Sequence, residues 1–153
     1  MKDPKNYEAR SNIMWVATWA LNTLIAQGKA TDWMVHMIGQ SVGAYTDATH
    51  GMTLSAVSLP TTGTSSLWPA PVQEVRRERL GGAPRGQDRR GHRPGRPGAM
   101  EAWMKEMGLV LHLAELGVTQ DMVEGIAKGS FVMEGGYKVL THQEIVEILQ
   151  QSM

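Results

Sequence analysis

Apolar residues in the first thirty positions recur at helical spacing: Ile13, Ala17, Ala20, Leu21, Leu24 and Ile25 fall on neighbouring turns until Gly28 ends the run. Asp3-Pro4 offers an N-cap with proline in the first turn, which predicts a helix starting there. Trp15 and Trp19 stand one turn apart and read as core or interface packing rather than the border of a cofactor. Asp32 caps a second predicted helix, on which His36 and Gln40, four apart, share a face. Thr46-Asp47-Ala48-Thr49 predicts a turn, and Gly51 to Leu59 a third, largely apolar helix ended by Pro60. Beyond residue 98 the pattern resumes. Ala99 to Met107 predicts an amphipathic helix stopped at Gly108, and Val110, Leu111, Leu113 and Leu116 form a short apolar patch ending at Gly117. Thr119 caps a helix reaching about Lys128. Thr141-His-Gln-Glu144 is a capping box ahead of Ile145, Val146, Ile148 and Leu149. No alternating strand pattern appears, so the expected class is all-α.

Composition divides the chain into three. Residues 1–60 form a first helical block and residues 99–153 a second block of the same domain. Between them, 61–98 holds eight arginines and three acids, net +5, against −5 for the remainder. That segment also carries five of the seven prolines and no Lys, Ile, Met, Phe, Tyr or Asn. Such a stretch buries too little apolar surface to offset the entropy of ordering it, so disorder is expected. Eight arginines could also neutralise phosphates, but only Trp68 interleaves with them and no reader motif accompanies them. No nucleic-acid partner is expected.

With 153 residues there is enough chain for one domain with a substantial core. The absence of cysteine excludes disulfides and thiolate metal sites and suits a reducing cytoplasm, the expected location. Met1-Lys-Asp-Pro-Lys lacks the apolar run of a signal peptide. Ser11 to Gly28 carries no formal charge, which raises a membrane-spanning reading. Asn12, Thr18, Asn22, Thr23 and Gln27 within it favour a buried helix instead.

The candidate chemistry lies in Trp33-Met-Val-His36-Met-Ile-Gly-Gln40-Ser-Val-Gly-Ala-Tyr-Thr-Asp47-Ala-Thr-His50-Gly51. Two imidazoles this far apart cannot meet along one helix, but they converge if the chain folds back at the turn. Neutral imidazole is a common ligand for iron, zinc and copper. Spacing alone favours two partly buried, hydrogen-bonded histidines over a metal site by roughly two to one.

The residues around those histidines resemble the iron-containing alcohol dehydrogenases, in particular their butanol-dehydrogenase-like branch, and the resemblance reverses those odds. It covers about Tyr7 to Pro60 and, in a supporting way, about Ala99 to Met153, where Ala99-Met-Glu-Ala-Trp103-Met-Lys-Glu-Met-Gly108 and Glu134-Gly-Gly-Tyr137-Lys-Val-Leu140-Thr141 stand. It implies a helical bundle like the family's carboxyl-terminal metal-binding domain. His36 and His50 would be metal ligands, for Fe2+ with Zn2+ as the alternative. The implied reaction is reversible hydride transfer between an alcohol or aldehyde and NAD or NADP. Gln40, where many relatives carry a non-ligand histidine, is the candidate catalytic side chain. His112 and His142 match no ligand position, and His92 lies in the arginine-rich segment.

The family's further aspartate and histidine ligands, and its dinucleotide domain, would precede Met1, so the chain is expected to be an enzyme fragment that is inactive alone. The missing dinucleotide domain is its expected partner, with homo-oligomerisation left open and no membrane partner expected. Between the blocks, Leu67 to Gly81 can be encoded by a string that, shifted one base, resembles the family's sequence there. A pair of compensating deletions that garble 61–98 is therefore expected. A helical scaffold that has lost catalysis is the alternative from another class.

Overall fold

The computed structural model describes residues 3–28, 30–31, 33–63, 99–135 and 138–153. The chain divides into two compact units, Met1–Thr31 and Asp32–Met153. All regular structure among the described residues is helical, as the pattern predicts.

The first unit is helix α1, Tyr7–Leu21, followed by a 3-10 turn at Leu24–Ala26 and Gly28 at a φ of +73°. Its cap is Asn6, whose side chain accepts the Ala9 N–H at 2.8 Å. Asp3 does not cap it: its carboxylate accepts the Lys5 N–H in a local turn. Nor is α1 buried. None of its residues is enclosed, and Met14, Trp15 and Val16 are each more than 60% exposed. The reason is visible in the sequence, since Ile13, Met14, Trp15 and Val16 are consecutive and wrap the helix instead of lining one face. Trp15 and Trp19 still pair edge to face, with centroids 5.3 Å apart.

In the second unit, α2 (Met34–Thr46) and α3 (His50–Gly63) form a helical hairpin. Three shorter helices follow: α4 (Ala99–Glu106), α5 (Val123–Gly129) and α6 (His142–Gln151). α2 packs on α3 and α5, α3 on α6, and α5 on α6. Met34, Ile38 and Val42 of α2, Ala56 and Val57 of α3, Val123 and Ile126 of α5 and Ile145, Ile148 and Leu149 of α6 meet in one core. Two buried hydroxyls tie distant stretches together. Ser41 Oγ donates to the Ile126 carbonyl at 2.7 Å, and Ser55 Oγ to the Val110 carbonyl at 2.7 Å.

Several boundaries differ from expectation. Asp32, the expected cap of α2, lies outside the described residues, and Trp33 occupies the N-cap position. α3 begins at His50 and runs through Pro60 to Gly63. Proline's fixed φ is itself helical, so what it forfeits is the bond its N–H would have made. Thr61 to Gly63 therefore belong to a helix, while the disorder and frameshift expected for the rest of 61–98 concern residues outside those described. The stops at Gly108 (φ +71°) and Gly117 (φ +81°) fall where expected. Thr119 precedes a 3-10 turn, Gln120–Met122, that leads into α5, so the predicted single helix is two short elements. The Thr141 capping box is present: its hydroxyl accepts the Glu144 N–H at 3.3 Å while the Glu144 carboxylate accepts the Thr141 N–H at 2.9 Å.

Candidate metal centre

Asp47 ends α2 in the left-handed region (φ 53°), where a short polar side chain is tolerated, and its N–H donates to the Gly43 carbonyl at 2.8 Å. The chain turns back there, and the Thr49 carbonyl receives the N–H groups of Met52 and Thr53 to start α3. The two helices come close because α2 offers glycine at the contact. A Cβ on Gly39 would stand 3.2 Å from Thr53 Oγ1 and 3.4 Å from the Leu54 backbone nitrogen; one on Gly43 would stand 3.8 Å from the Ala48 carbonyl oxygen. Thr53, fully buried, donates its hydroxyl to the His50 carbonyl at 2.9 Å and anchors the first turn of α3.

His36 stands one turn before Gly39 on α2, and His50 one turn before Thr53 and Leu54 on α3. The close approach at Gly39 therefore brings the imidazoles together. His36 Nδ1 and His50 Nε2 are 3.3 Å apart, with ring centroids at 5.3 Å. The Trp33 indole also meets His36 edge to face, with centroids 4.8 Å apart. His36 is half-buried and His50 exposed. Burial first, and the neighbouring His50 second, hold the His36 pKa below the ordinary histidine value. The neutral ring, with a free lone pair, is thereby favoured.

The other candidates are not gathered here. Gln40 is exposed one turn along from His36. His142 Nε2 lies 2.8 Å from a Glu124 carboxylate oxygen, linking α6 to α5. His112 opens the 3-10 turn Leu113–Leu116, where the Glu115 carboxylate accepts its backbone N–H at 3.1 Å. His92 lies outside the described residues. Periodicity did not point to Trp33, Gly39, Gly43 or Thr53. The two glycines four apart inside an apolar helix were the available signal.

A family model described as Fe-containing alcohol dehydrogenase family, C-terminal, matches residues 1–153. The chain belongs to that family. The NADPH-dependent aldehyde reductase YqhD of Escherichia coli is 44% identical over 68 residues, which are 44% of this chain and 16% of the relative. The NADH-dependent butanol dehydrogenase B of Clostridium acetobutylicum is 41% identical over 58 residues, 38% of this chain and 15% of the relative. The crystal structure of NADH-dependent butanol dehydrogenase A from Thermotoga maritima matches 99% of this chain with a TM-score of 0.76 at 27% identity. This chain spans 40% of that structure's length.

The donor set fits a divalent transition ion in part. Two nitrogens bound to one ion at about 2.0–2.1 Å stand about 2.8–3.4 Å apart for angles between octahedral and tetrahedral, and the observed 3.3 Å falls in that range. Among the described residues no group of three or more His, Asp or Glu side chains converges, so this chain offers two donors. No helix among them is long and apolar enough to cross a membrane.

Proposed function

We propose that this chain supplies the two-histidine half of a metal centre in an enzyme that interconverts an alcohol and an aldehyde with NAD(H) or NADP(H). The observation that carries the reading is the 3.3 Å meeting of His36 Nδ1 and His50 Nε2 across the α2–α3 hairpin, in a chain of this family. His36 and His50 would hold Fe2+, with Zn2+ as the alternative, and the bound ion would supply Lewis-acid polarisation of the substrate oxygen. Neutral His36 presents a lone pair without first having to lose a proton. Gln40 can donate or accept one hydrogen bond toward substrate or cofactor, but an amide cannot relay a proton. The nicotinamide and the remaining ligands belong, in this reading, to the part of the parent enzyme beyond the 40% this chain spans. By itself the chain should give no turnover, because hydride transfer needs cofactor and substrate held in near-attack geometry.

Metal titration tests the site. The chain should bind one equivalent of Fe2+, or of Co2+ as a visible substitute, and His36→Ala or His50→Ala should weaken binding at least about tenfold. His112→Ala and His142→Ala should leave it unchanged. Equal affinity in all four variants would discard the assignment.

A further inference from the structure

The His36 imidazole does not face His50 unaided. It meets two rings, the Trp33 indole with centroids 4.8 Å apart and an interplanar angle of 65°, and His50 with centroids 5.3 Å apart. Trp33 is placed there by an unusual backbone. Its φ of 53° and ψ of 13° put it in the left-handed region. A bulky residue meets a steric penalty in that region, which glycine or asparagine largely escapes. The Trp33 carbonyl accepts the Met37 N–H at 3.0 Å as the first bond of α2, and the Trp33 side chain itself makes no cap. Asn or Asp would serve this N-cap position better on both counts. A local rule is thus broken at one residue, and that residue contacts a candidate ligand.

The consequence for His36 is geometric. A histidine ring turns freely about its last torsion, with two broad minima that exchange the places of Nδ1 and a ring carbon. Metal-binding histidines are ordinarily held in one orientation by a second partner. Here the indole supplies packing, since among the described residues the ring nitrogen contact at His36 is Nδ1 to His50. Resting on the two-histidine reading above, we infer that Trp33 is a positioning residue: its indole fixes the His36 ring so that Nδ1 points at the shared site with His50, and its strained backbone is what places the indole there.

Three replacements separate ring from backbone. Trp33→Asn and Trp33→Gly relieve the left-handed strain and delete the ring, whereas Trp33→Phe keeps an aromatic ring. Two measurements apply to each: Co2+ affinity with its visible absorption band, and NMR of the metal-free chain with labelled histidine rings. If Trp33 positions His36, Asn and Gly should weaken Co2+ binding on the order of tenfold to a hundredfold and alter the band. In the same variants the His36 ring resonances should lose their indole-induced shift. Phe should keep most of the affinity, and melting temperatures should not fall in Asn or Gly. Wild-type affinity and band in Trp33→Asn would overturn the inference, as would an equal loss in Trp33→Phe. Unchanged His36 ring resonances in Trp33→Asn would overturn it whatever the metal does. A wild-type chain that binds no Co2+, or a His36→Ala chain that binds as tightly as wild type, instead removes the metal reading, and the NMR arm still judges the packing.

Discussion

Helices α1 and α6 are both rich in apolar residues, yet α1 encloses none of them and α6 encloses four, Ile145, Val146, Ile148 and Leu149. Hydrophobic content does not separate them; its arrangement does. In α6 the apolar residues fall in a stripe with Glu144, Glu147 and Gln150 opposite, and Ile148 and Leu149 are fully buried. In α1 they wrap the helix, and Thr18 turns its hydroxyl back to the Met14 carbonyl at 2.9 Å. A stripe gives a helix one face to bury; a wrap gives it no preferred one.

The largest effect that tests this contrast is Ile148→Ala. It opens a cavity in a fully enclosed site and should cost about 2–5 kcal/mol in a urea unfolding curve. Ile13→Ala in α1 should change the same curve by no more than about 0.5 kcal/mol, and equal losses would erase the distinction. Next comes Gly39→Ala, which pushes a methyl against Thr53 and the Leu54 backbone. A cost of about 1–3 kcal/mol is expected from such overpacking. It should also weaken metal binding, because the same contact sets the distance between His36 and His50. Thr141→Ala, which removes the α6 cap, should cost about 1 kcal/mol.

The smallest effect is a pH dependence at the same cap. The Lys138 ammonium first, and the Thr141 backbone N–H second, hold the Glu144 carboxyl below the usual carboxylate range. A folded pKa below the unfolded one means this contribution is present above the unfolded value and fades as pH falls through the folded value. Glu144→Gln keeps the capping geometry without the charge. Its urea midpoint should therefore drop less than that of wild type between pH 7 and about pH 3. Parallel curves would remove Glu144 from the acid response.

What could be read from the sequence followed from how local its cause was. The Thr141 box and the stops at Gly108 and Gly117 depend on a few adjacent residues, and they stand where the pattern put them. Pro60 and Asp3-Pro4 misled because each permits two outcomes. Proline's φ suits a helix as well as an end, and an Asp can bond its own turn as well as a helix. The histidine pair was legible only through family resemblance. Its geometry depends on Asp47 in the left-handed region and on glycine at position 39, neither of which hydrophobic period records.

The two buried serine bonds bear on how the chain tolerates change. Ser41 to Ile126 and Ser55 to Val110 join residues 85 and 55 positions apart, so the second unit closes across whatever sequence intervenes. The entropy of such a closure grows only with the logarithm of length, and doubling a flexible connection costs about 0.6 kcal/mol. Each closure therefore depends on the fit at its two ends more than on the number of residues between them.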